Sequence, residues 1–117
     1  MALHHRLPIY KVAYDLLSMA ADITRNIPRD LKAGLGRKVN DECVELLVLI
    51  ARANSARDKS PHLDEIIERV QVVEFLLRVF KDKQFINVPK HAAAIQLTDS
   101  IGKQANGWKK NATAPAA

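Results

Sequence analysis

The stretch VELLVLIARANSARDK, residues 44–59, carries six apolar residues in a row at positions 46–51 and then turns polar and basic. On a helix, six consecutive positions at 100° each point in every direction around the axis. A surface helix needs one apolar stripe, so this segment predicts a helix covered on more than one side. The chain that must supply the cover has only 117 residues.

Working outward, punctuation divides the chain into four pieces. Pro8 suits a first helical turn, where its missing N–H costs nothing. Pro28, Gly34 and Gly36 interrupt the pattern before the second helix. Ser60-Pro61 reads as a cap followed by a first-turn proline, with Asp64 and Glu65 near the positive end of the third helix. Asn87 and Pro89 mark the entry to the fourth.

Within the pieces, apolar residues step by threes and fours. Helix one offers Ile9, Ala13, Leu16, Ala20, Ile23 and Ile27, and helix two Val39, Cys43, Leu46, Ile50 and Ala53. Helix three offers Leu63, Ile66, Val70, Val73, Leu77 and Phe80. Helix four gives Ala94, Leu97, Ile101 and Trp108, with Gln104 in the seam. Such spacing keeps one stripe toward neighbours crossing at about 20°. No segment alternates in polarity as a strand would. The expected fold is all-α, an antiparallel up-down-up-down four-helix bundle over residues 7–110, with flexible ends at 1–6 and 111–117.

The seams leave apolar residues over. Val72, Leu76 and Val79 form a second stripe on helix three, and Leu47, Val48 and Leu49 widen that of helix two. One four-helix layer cannot wrap either helix completely. These six are therefore expected at a contact between subunits of a homo-oligomer.

Catalytic patterns are missing. Glu42 and Glu45, and Glu65 and Glu68, lie three apart, but neither pair has the histidine of a di-iron Glu-x-x-His motif. His62 and His91 have no carboxylate three residues before them, and adjacent His4 and His5 lack a third ligand. The serines sit in no Gly-x-Ser-x-Gly turn, and AGLGRKV, residues 33–39, lacks the spacing of a phosphate loop. Asp41, Glu42 and Glu45 read as a solvated acidic patch pairing with Arg37 and Lys38. No enzyme activity, cofactor or metal is expected. The single Cys43 excludes an intrachain disulfide and fits a reducing compartment. With no signal-peptide core and no membrane-length apolar run, a cytoplasmic location is expected.

Net charge is +5 with a pI near 9.6, which favours an acidic partner, nucleic acid first. In an up-down bundle, residues 25–38 and 78–90 share one end. They hold Arg25, Arg29, Lys32, Arg37, Lys38, Arg78, Lys81, Lys83 and Lys90 against Asp30 and Asp82. That is net +7, so the remainder of the +5 chain carries −2, and the positive charge is expected at one end of the bundle. Helix dipoles account for Arg25, Arg78 and Lys81, but not for the cations entering helix two. Aromatics are only 5% of the chain, so phosphate or shape recognition is expected rather than base stacking. Trp108 reads as a core anchor, and Gly107 beside it as a place for a neighbouring helix to approach.

Several segments also resemble one family. LPIYKVAYDLL at 7–17, IPR at 27–29 with LKAGLG at 31–36, ELLVLIARAN at 45–54 and IGKQANGWKK at 101–110 are similar to the Avd proteins. These are the accessory variability determinants of diversity-generating retroelements. Ile27 stands where that family often has Phe, and Asn106 where it often has the first glycine of a Gly-Gly-Trp ending. The resemblance implies a pentameric barrel of four-helix bundles with a basic surface. It also implies partners, the retroelement's template RNA and its reverse transcriptase, and no catalysis of its own. Arg78 in FLLRVFK, residues 75–81, matches a basic position associated with that surface. The alternatives are the bundle proteins encoded in intervening sequences of ribosomal RNA, or an oligomeric scaffold without specific RNA binding.

Overall fold

The computed structural model describes residues 3–113, which form an all-α protein of four long helices without a strand among them. The helices are α1 (Pro8–Arg25), α2 (Arg37–Ser55), α3 (Ser60–Asp82) and α4 (Val88–Thr113). Each packs on its neighbour in sequence, α4 closes against α1, and the molecule measures 53 × 22 × 21 Å. Among the described residues no helix is long and apolar enough to cross a membrane.

Local chemistry explains the boundaries. Pro8 occupies the first turn of α1, as expected. Ahead of it, His4–Arg6 form a 3-10 turn where a flexible start was expected, and Met1 and Ala2 lie outside the described residues. Between α1 and α2 the chain makes a single α-turn, Arg29–Leu31, and a wide π-helical turn, Lys32–Gly36. Gly36 is buried there, and a Cβ at this position would stand 3.0 Å from Ile27 Cδ1. Small size at position 36 is what lets the turn close over the end of α1.

Ser60 does not cap α3 with its side chain. Asp58 instead accepts the Ser60 N–H at 3.2 Å. Lys59 turns back to donate to the Ala53 and Asn54 carbonyls at the end of α2 and to that of Ala56 just beyond it, at 2.9 to 3.1 Å. At its other end α3 stops in a Schellman turn. Phe85 N–H donates to Phe80 O at 2.8 Å and Gln84 N–H to Lys81 O at 2.9 Å, with the rings of Phe80 and Phe85 6.2 Å apart. Gln84 takes the left-handed position, φ 63°, usually given to glycine. Asn87 caps α4 by accepting the Lys90 N–H at 2.8 Å. α4 runs to Thr113, beyond the boundary expected at 110, and residues 114–117 of the expected tail lie outside the described residues.

The core follows the three-four stripes of α1, α2 and α3 residue for residue. On α4 the buried line keeps the expected Ala94 and Ile101 but takes Thr98 and Ala105 in place of the neighbouring Leu97 and Gln104, which with Trp108 are half-buried. Thr98 tolerates full burial because its hydroxyl donates to Ile95 O at 3.0 Å. Leu49, expected at a subunit contact, is fully buried within its own bundle. It lies two turns after Glu42 on the flank of α2 that faces α3, so α2 buries an arc wider than one stripe.

Candidate nucleic-acid interface

Contacts between helix ends assemble the expected basic end. Asn40 at the start of α2 donates to the Thr24 hydroxyl near the end of α1 at 3.1 Å. Asp22, Ile23 and Asn26 of α1 share a shallow cleft with Phe85, Ile86, Asn87 and Lys90 at the entry to α4. His91 of α4 faces Arg78, Lys81 and Asp82 of α3. Burial and the two cations hold its imidazole below the ordinary range against the opposing pull of Asp82. His91 therefore carries less positive charge near neutral pH than a free imidazole would.

Neutralising partners divide the nine cations. Arg25 pairs with Asp22 at 3.6 Å, Arg37 with Asp41 at 4.0 Å and Arg78 with Asp82 at 3.2 Å. Lys38 pairs with Glu42 at 2.9 Å. Arg29, Lys32, Lys81, Lys83 and Lys90 make no ion pair with any described residue, and all but half-buried Lys81 are exposed. These five dominate the field that a phosphate chain would meet.

Lys38 stands apart from them, on the α2–α3 flank. The Glu42 carboxylate there accepts from Arg69 Nη1 at 3.0 and 3.1 Å, and Arg69 Nη2 reaches Glu65 at 3.2 Å. Glu42 is only 3% exposed, so the acidic patch is not uniformly solvated as its sequence suggested. Burial pushes the Glu42 carboxyl up, but hydrogen bonds and charge from Lys38 and Arg69 outweigh it and hold the group below its usual range. Glu45 lies 4.0 Å from Arg52.

Positive charge is not confined to one end, contrary to expectation. Arg6 precedes α1, Arg57 and Lys59 lie in the α2–α3 connection, and Lys103, Lys109 and Lys110 line a cleft on the last turns of α4. Leu7 with Pro8 and Ile9 at the start of α1 meet Gln104, Trp108 and Asn111 of α4, which gathers these segments at the opposite end. Lys59 stands 6.0 Å over the Trp108 ring, and Lys109 reaches Asp64 at 2.6 Å. Residues 3–11, 52–64 and 103–113 hold eight basic and two acidic residues, net +6. The remaining helix segments, 12–24, 39–51, 65–77 and 91–102, hold nine acidic residues and Arg69, net −8, with Asp22 and Asp41 among the nine paired to Arg25 and Arg37 of the first end. The molecule is a rod with two basic ends and an acidic waist. In that waist Glu74 has its carboxyl pushed up by burial and by Asp99 on the next helix.

Of the six residues expected between subunits, Leu47, Val48, Val72 and Leu76 are half-buried and Val79 is 38% exposed; only Leu49 is sealed inside. Phe75, at 69%, and Val44, at 46%, are more exposed than any of them. Both face away from the core, and Phe75 falls between Val72 and Val79 in line with the expected second stripe of α3. A Cβ added at Gly107 would meet no atom within 4 Å, so no helix among the described residues uses the close approach expected there. No cluster of three or more His, Cys, Asp or Glu side chains among the described residues could hold a metal.

A family model described as bAvd-like matches residues 7–112. No curated protein matches the chain.

Proposed function

The chain belongs to the bAvd-like family, and on that premise we propose that it is a non-catalytic accessory protein of a diversity-generating retroelement. It binds template RNA and the reverse transcriptase, and so supports mutagenic cDNA synthesis in the cytoplasm. The observation carrying the RNA-binding step is the cluster of five cations without ion-pair partners, Arg29, Lys32, Lys81, Lys83 and Lys90, at one end of the bundle. Phosphate contacts add, and each releases counterions. Five of them give a salt slope of about −3.5 on single-stranded RNA, or about a hundredfold loss of affinity between 50 and 200 mM salt.

The paired helix ends support reading the bundle as up-down-up-down. The exposed apolar faces support a homo-oligomer. Val44 and Val48 of α2 differ in position from Val72, Phe75 and Val79 of α3, so a contact joining one face to the other is head-to-tail. Such contacts build rings when the rotation between neighbours closes, and the family's pentamer is a ring of that kind.

Replacing Arg29, Arg37, Arg78 and Lys81 with Glu tests the reading. RNA binding and co-purification with the reverse transcriptase should both be lost while helicity by circular dichroism stays. Undiminished RNA binding in that variant refutes it.

A further inference from the structure

The end opposite the five unpaired cations carries net +6 against the +7 of their own end, and helix-terminus electrostatics explain only part of it. Lys59 uses its ammonium on carbonyls at and just beyond the end of α2, and Lys109 is paired with Asp64. Those two are structural. Arg6 sits ahead of the N-terminus of α1, where the helix dipole disfavours a cation. Lys103 stands more than two turns before the end of α4, beyond the reach of its dipole. With Arg57 and Lys110 they give this end a positive field larger than the helix termini account for. Between the two ends lies the net −8 waist, which also carries exposed Val44 and Phe75 and half-buried Val48 and Val72. Subunit contacts made through the waist leave both ends open.

We propose that one RNA strand is held by its phosphates at both ends of the bundle at once and passes over the waist without contact. This inference rests on the RNA-binding reading above and deepens it. The near-end grip is Arg29, Lys32, Lys81 and Lys83; the far-end grip is Arg6, Arg57, Lys103 and Lys110. Lys90, beside the near-end grip, and Lys110 lie on the same helix, about 30 Å apart along its axis at 1.5 Å per residue. A stacked strand advances about 3.4 Å per nucleotide, so about nine nucleotides bridge that gap and roughly a dozen engage both ends. Strands shorter than the gap use one end at a time, whereas longer ones gain the effective concentration of an intramolecular second contact.

The experiment compares labelled oligouridylates of 6 and 24 nucleotides on the full chain and two variants. One variant carries Arg29→Gln, Lys32→Gln, Lys81→Gln and Lys83→Gln. The other carries Arg6→Gln, Arg57→Gln, Lys103→Gln and Lys110→Gln, with Lys103→Gln/Lys110→Gln alone as a milder form should the fourfold change disturb helicity. Both ends acting together predict that either variant binds the 24-mer at least tenfold more weakly, with a salt slope shallower by about 2.8. The 6-mer should change by about twofold in each. A far-end variant that keeps wild-type affinity and slope for the 24-mer, while the near-end variant loses them, overturns the two-ended grip and leaves RNA binding intact. A wild-type chain that binds neither oligomer overturns both.

Discussion

Removing the guanidinium of Arg69 should be among the most damaging changes outside the apolar core. The Glu42 side chain is 4% exposed and is held by Arg69 at 3.0 Å and Lys38 at 2.9 Å. Stripping one partner from a buried ion pair costs about 3–5 kcal/mol when the other charge is left alone. Here Lys38 remains, and the Arg69 side chain is itself 35% exposed, so water can reach the gap. Arg69→Met is therefore expected to cost about 2–3 kcal/mol at pH 7, whereas Glu42→Leu/Arg69→Met, which leaves only the solvent-accessible Lys38 and Glu65 without these partners and no buried charge unpaired, should cost within about 1 kcal/mol. Urea titration reads the difference as a drop in midpoint of about 1–2 M for the single variant, with an unchanged slope. Acidification gives a second readout. The Glu42 carboxyl titrates below its ordinary 4.5 in the folded protein, so its stabilisation is present above that value and disappears as pH falls through the lower folded one. The wild-type midpoint should fall below about pH 4.5 more steeply than that of the double variant. A single variant as mild as the double one, or parallel pH profiles, refutes the reasoning.

Leu49→Ala should cost about 2–5 kcal/mol without changing the oligomeric state, because the side chain is wholly inside one bundle. Phe75→Glu/Val48→Glu should leave folding intact and lower the mass measured by light scattering. Gln84→Gly should raise stability by about 1 kcal/mol in urea titration, since glycine adopts the left-handed cap at φ 63° without a Cβ penalty. Burial and the nearby Glu42 carboxylate push the Cys43 thiol up to about 12, so disulfide reagents should modify it at pH 8 only as fast as the chain opens.

The buried lines of α1, α2 and α3 were legible because a three-four spacing defines the direction of a helix's buried face. Spacing does not define the width of that face. α2 sits between α1 and α3, and its flank toward α3 draws in Glu42 and Leu49, one expected in solvent and the other between subunits. An α4 stripe carrying Gln104 was ambiguous by one position for a related reason. Thr98 can be buried at no cost once its hydroxyl finds the Ile95 carbonyl, and polarity alone could not anticipate that bond. Outward-facing Phe75 was legible too, since it stands three residues after Val72 and four before Val79, in line with the second stripe of α3.

Charge was legible as a count and only partly as a field. The nine cations of one end were countable once the helix order implied which segments meet. Applying the same order to the other end finds Arg6, Arg57, Lys103, Lys109 and Lys110 with few acids among them; the signal was in the sequence. What only the structure supplies is the pairing. Lys38 belongs to Glu42, whose burial makes the bond durable, and Arg78 shares its charge with Asp82. A Glu42→Gln change would release Lys38 as well as part of Arg69. It should therefore raise affinity for an RNA strand while lowering the stability of the bundle. Measuring both in one variant separates the two roles of charge here, because a purely structural network would move stability and leave RNA affinity where it was.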